Sequence, residues 1–106
     1  MNYTRVYKTP FRQFVKKAHR ALGLAIDMAV DCICDEPYSG TEKTGDLSGI
    51  RVYKFKFHRQ EYLIAYRLMP STDKRSASQV ELLSIEFYQV GTHENFYDML
   101  KSYLKH

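Results

Sequence analysis

Lys54 and Lys56, two apart in "RVYKFKFHRQ", are the residues whose type and spacing first ask for a chemical reason. Alternate residues of an extended strand point to one face, so these two ammonium groups stand together, with His58 continuing the row. Like charges on one strand repel, and folding gains nothing from them. A phosphate chain would offset that repulsion. Lysine offers it a point charge and arginine a planar fork; Arg67 on the next strand and Arg59 at the turn are the arginines placed to join. Lysines also guard an exposed sheet against pairing with other chains, and the spacing alone leaves both explanations open.

A second constellation is "HENFY" near the C-terminus. A separation of four places His93 and Tyr97 above one another on a helical face, with His93 in the first turn. Histidine titrates near neutrality and is the default general acid or base. A tyrosine beside it can stack on a base or donate a hydrogen bond. An isolated pair at this spacing is more often a surface histidine beside a half-buried tyrosine.

Other chemistries find no footing. "GTEKTGD" lacks the spacing of a phosphate-binding glycine loop, and Glu42 and Asp46 lie in a loop without a partner carboxylate. Cys32 and Cys34 point to different sides of a helix, which suits free, semi-buried thiols better than a disulfide or a metal site. The sequence calls for no cofactor and no metal.

Charge is distributed in blocks beneath a net +4. Residues 1–20 carry six cations and no acid, residues 21–49 six acids against one lysine, and residues 50–80 seven cations against Glu61 and Asp73. A basic block on a sheet suggests a polyanion, most commonly nucleic acid. No apolar run approaches the roughly 20 residues that cross a bilayer, and the start has no apolar stretch typical of a signal peptide. The expected location is the cytoplasm, with no membrane partner.

The elements that position these residues follow from periodicity. "NYTRVYK" alternates as a strand; Thr9 and Pro10 open a helix whose Phe11, Phe14, Val15 and Ala18 share a face. A second helix runs from about Leu22 to Asp35 and stops before Pro37. After the loop "EPYSGTEKTGDLSGI" come strands near Ile50–Phe57, Tyr62–Met69 and Val80–Val90, then a helix capped near Thr92. In the first of these strands Tyr53, Phe55 and Phe57 mark the core side, and Ile50, Val52, Lys54 and Lys56 the open side. The order β-α-α-β-β-β-α predicts one α+β domain over residues 1–106, a small twisted antiparallel sheet with helices on one side.

"GDLSGIRVYKFKFHRQEYLIAYRL" followed by "HENFYDMLKSYL" resembles the RelE/ParE superfamily of type II toxins. The resemblance covers the whole element order and is most specific over residues 45–69 and 90–101. It implies a small sheet with an N-terminal helical hairpin and a C-terminal helix, and a cognate antitoxin that wraps the toxin. RelE-like members cut mRNA in the ribosomal A site by attack of a ribose 2′-OH on its own 3′ phosphate, without metal. ParE-like members poison DNA gyrase and do not cut RNA.

For the first activity the resemblance implies roles. Lys54 and Lys56 supply phosphate charge or withdraw a proton, Arg67 clamps the phosphate, His93 shuttles a proton, and Tyr97 positions a base. His58 and Arg59 are weaker candidates for nucleic-acid contact. RelE itself has an arginine directly after the aromatic of the third strand, where this chain has Leu63 after Tyr62. "YLIAYR" is similar to the corresponding strand of ParE-like members. The leading expectation is a ribosome-dependent mRNA endoribonuclease; the alternative is a gyrase inhibitor without nuclease activity.

Overall fold

A computed structural model describes residues 3–70 and 82–105. Asn2, the polar stretch 71–81 and the expected strand start at Val80 lie outside the described residues.

Strand β1 (Thr4–Tyr7) leads into helix α1 (Thr9–Lys17). Lys8 is the N-cap, one residue earlier than expected, because its extended backbone already precedes the first turn and Pro10 suits that turn. Two extended residues, Ala18 and His19, then turn the chain, and His19 Nδ1 accepts the Leu22 N–H at 3.3 Å. That cap starts helix α2 (Arg20–Asp35) two residues before the expected position. Leu22, Ile26, Ala29, Val30 and Ile33 form its buried stripe, at the spacing one helical face requires. Cys34 is buried and Cys32 exposed, both as free thiols, and burial pushes the Cys34 thiol up.

The loop before the sheet contributes a short strand β2 (Thr41–Glu42) and a 3-10 turn (Gly45–Leu47). Then come β3 (Arg51–Phe57), β4 (Gln60–Pro70), β5 (Leu82–Thr92) and helix α3 (Phe96–Leu104). The spatial order is β1-β5-β4-β3-β2. β3, β4 and β5 are antiparallel neighbours as expected; β2, inside the expected loop, adds to β3 antiparallel, and β1 joins β5 in parallel, so the five-stranded sheet is mixed.

The α+β class and the element order stand; the placement of all helices on one side does not. The helical hairpin covers one face, over Ile64, Tyr66, Ile85 and Phe87, with Tyr53, Phe55 and Phe57 packed against this core. The last helix covers the other, where Phe96 and Leu100 meet Ile50, Val52, Leu63 and Ala65. Alternation predicts a core side and an open side, but Ile50 and Val52 on the second side are fully buried too. An apolar stripe on α3 must be buried somewhere, and those residues offer the matching surface. Each fully buried side chain of this size contributes about 1.5–3 kcal/mol.

A bulge in β5 serves both layers. The register shifts between Ala65↔Gln89 and Tyr66↔Phe87, so Tyr88 is an extra residue on its strand. Phe87 and Val90 belong to the hairpin core, while Tyr88 belongs to the α3 core. The buried Gln89 amide donates to the Phe96 carbonyl at 2.8 Å and ties the start of α3 to the sheet.

Candidate functional site

The site is built by strand register. His58 and Arg59 both take left-handed backbone, with φ of 49° and 67°, and form a two-residue turn. Pairing therefore starts at Phe57↔Gln60 and continues Lys56↔Glu61 and Lys54↔Leu63. On the other side of β4, Leu63 pairs with Gly91 and Tyr62 with Thr92, so His93 next comes level with Glu61. Lys56, Glu61 and His93 thus line up across three neighbouring chain segments, with Lys54 one step inward on the same face. Glu61 Oε1 and His93 Nε2 are 2.5 Å apart.

Length explains why this row is uncovered. The nine residues of α3 span about 13 Å at 1.5 Å per residue. The eleven of β4 span roughly 36 Å at 3.3 Å per residue. The helix therefore covers Ile50, Val52, Leu63 and Ala65 and stops short of Lys54 and Lys56, both exposed.

The field in the row is that of an anion site already holding one carboxylate. The hydrogen bond from His93 holds the Glu61 carboxyl below its usual range. Desolvation works against this, while the electrostatic influence of His93, Lys54 and Lys56 adds to the lowering. Glu61 is therefore ionised at neutral pH, and the hydrogen in its contact with His93 sits on Nε2. Among the described residues nothing bonds to Nδ1 of His93. Two ammonium groups and one open imidazole nitrogen can bind a phosphate and move a single proton beside it.

His93 precedes α3 and does not sit in its first turn. Asn95, in left-handed conformation with φ 59°, turns the chain between β5 and Phe96, and it takes the cap position expected near Thr92. The expected His93–Tyr97 stack on one helical face is thus replaced by a histidine in a turn and a tyrosine at the helix start. Tyr97 is half-buried: Phe96 meets its ring edge-on at 5.3 Å, and the Lys43 ammonium lies 5.4 Å over it.

Arg67 is on the same face but elsewhere. Four residues beyond Leu63, it lies about 13 Å further along β4. Its guanidinium stacks 5.5 Å over the Tyr88 ring, beside Glu86, its partner in register. Tyr88 donates to Glu86 at 2.7 Å, and Lys8 pairs with Glu86 at 3.2 Å. Burial first, then the bond to Glu86, push the Tyr88 hydroxyl up to about 12. Burial also pushes the Glu86 carboxyl up, but Tyr88, Lys8 and Arg67 outweigh it and hold the carboxyl below its usual range. Arg67 thus belongs to a second polar network and not to the Lys54–Lys56 pair.

His58 and Arg59 sit exposed at the hairpin tip, with the His58 ring against Phe57 at 4.1 Å, and neither extends the lysine row. Sequence reasoning missed Glu61 and Lys43. It placed "HRQE" between the strands, which put Glu61 outside the pairing. A two-residue turn would have found it, but such turns favour Asn-Gly or Asp-Gly, and His58–Arg59 carries no such signal. Lys43 was hidden in the loop, and its meeting with Tyr97 is set by tertiary structure alone.

Residues 6–101 match the family described as ParE-like toxin of type II bacterial toxin-antitoxin system. No curated protein and no solved structure matches the chain.

Proposed function

The chain belongs to the ParE-like toxin family of type II toxin–antitoxin systems, and we propose that it arrests growth as a ribosome-dependent mRNA endoribonuclease. The family implies a cognate antitoxin. The observation that carries the mechanistic reading is the row of Lys56, Glu61 and His93 beside Lys54, left uncovered by α3.

In this reading the ribose 2′ oxygen attacks its own 3′ phosphorus, the O2′–P bond forms and the P–O5′ bond breaks. His93 accepts the 2′ proton. Lys54 and Lys56 balance the charge that grows on the phosphoryl oxygens, and one ammonium group protonates the leaving 5′ oxygen. The proton on His93 then returns to that amine through solvent. The products carry a 2′,3′-cyclic phosphate and a 5′-hydroxyl. Tyr97, with Lys43 over its ring, positions a neighbouring base, and Arg67 reaches the phosphate of a different nucleotide. His58 and Arg59 hold the RNA at the hairpin tip. The work is done in the cytoplasm, where mRNA is translated.

The test is a translating extract supplied with the purified protein, with mRNA 3′ ends mapped by primer extension beside the same mRNA without ribosomes. New ends at A-site codons only with ribosomes support the reading. A second reading, inhibition of DNA gyrase, is favoured by the ParE-like description of the family and by the position of Arg67 away from the lysines. Intact mRNA together with blocked gyrase supercoiling would select it.

A further inference from the structure

We propose that Glu61 is a positioning residue of this site: its carboxylate, bonded to Nε2 of His93, orients the imidazole and leaves Nδ1 to exchange a proton with the ribose 2′-hydroxyl. The inference rests on the ribonuclease reading above and adds to it a residue that has no role in that reading.

Glu61 has a choice of cations. Lys56 stands in register with it and Lys54 contributes to its field, yet the hydrogen bond it makes, at 2.5 Å, is with Nε2 of His93. A half-exposed carboxylate beside lysines gains little stability from any single pair, so an ordinary surface pair of this kind has no further consequence. Here the geometry adds one. Glu61 is paired to Lys56 through β3, and the next residue, Tyr62, is paired to Thr92 through β5. Glu61 is therefore held by a rigid strand, whereas His93 lies in a turn that alone would leave its ring free to rotate. The bond transfers the order of the strand to the ring. It also decides which nitrogen is basic: with Glu61 ionised, the hydrogen stays on Nε2, and the Nδ1 lone pair faces outward. When His93 takes the 2′ proton, the resulting imidazolium stands next to a carboxylate that stabilises it.

A competing role uses the same contact. The carboxylate could fill the anion site until a phosphate displaces it, and removing it would then free the site. The two roles predict opposite changes in rate. The experiment compares wild type, E61Q, E61A and E61D in three readouts: cleavage rate on ribosome-bound mRNA, affinity for a single-stranded oligoribonucleotide, and imidazole 15N shifts of His93. A positioning role predicts cleavage lower by roughly tenfold to a hundredfold in E61Q and E61A, with partial rescue in E61D. RNA affinity stays equal or tightens, because a negative charge has left the lysine row. The neutral ring of wild type keeps its proton on Nε2, and E61A shows a mixture of tautomers. Cleavage equal to or faster than wild type in E61Q overturns the proposal, as does an unchanged tautomer balance in E61A. A wild type that leaves mRNA intact is a different result: it removes the ribonuclease reading itself, and this role with it.

Discussion

Gly40 and Tyr66 are fitted to each other: the Gly40 N–H donates to the Tyr66 hydroxyl at 2.9 Å, and a Cβ at position 40 would stand 2.6 Å from that oxygen. The hydroxyl in turn donates to the Pro37 carbonyl at 2.8 Å, so one buried side chain of β4 fastens the chain leaving α2. Tyr66→Phe removes both bonds and leaves a buried N–H unpaired, a loss of about 1–3 kcal/mol. Gly40→Ala forces the tyrosine ring to move and destabilises as well. Urea unfolding midpoints check both, and the lysine face, on the opposite side of the sheet, keeps its RNA affinity in the folded fraction.

Gln89 offers a graded test of how α3 is held. Gln89→Leu removes its bond to the Phe96 carbonyl and costs about 1 kcal/mol. Gln89→Glu turns a buried carboxylate toward a carbonyl, so it costs more than the leucine. Thermal unfolding should rank wild type above Q89L above Q89E. Hydrogen exchange should show the loss of protection first in α3.

Glu86 predicts an acid-dependent stability. Its folded carboxyl titrates below the ordinary range, so the unfolded chain binds the proton first as pH falls. The stabilisation is present in full above the unfolded value of about 4.3 and is lost as pH drops through the lowered folded value. Between pH 7 and pH 3 the wild-type urea midpoint should fall more steeply than that of E86Q. The two should converge at the acid end.

Lys54 and Lys56 are tested by salt. If each neutralises one phosphate of a single strand, the double variant K54A/K56A loses about 1.4 from the slope of log affinity against log salt, at roughly 0.7 per contact. Both side chains are exposed, so stability should change by no more than about 0.5 kcal/mol per substitution. Binding measured from low to moderate salt, beside a melting curve, separates a lost contact from a lost fold.

The helices and strands were legible because their patterns are local. Phe11, Phe14, Val15 and Ala18 announce one helical face, and Tyr53, Phe55 and Phe57 announce one sheet face. Alternation does not say what covers the second face, so it leaves Ile50 and Val52 open, whereas α3 covers them. Lys54 and Lys56 were placed correctly on that face because strand parity alone decides it. Glu61 and His93 are 32 residues apart and meet through the register of β4 with β3 and β5. That register depends on a turn, His58–Arg59, whose residue types do not advertise it. "HENFY" fits a helix and so predicts a helical His93, but the left-handed backbone at Asn95 delays the helix to Phe96.

The central claim, that the face carrying Lys54, Lys56 and His93 cuts mRNA through the ribose 2′-hydroxyl, is tested most directly by the chemistry of the fragment ends. Translating ribosomes incubated with wild type should yield downstream fragments with 5′-hydroxyl ends and upstream fragments with 2′,3′-cyclic or 3′ phosphates. The ends should fall at A-site codons and be absent with folded K54A/K56A/H93A. Full-length mRNA with wild type, or the same ends with the triple variant, would contradict the account.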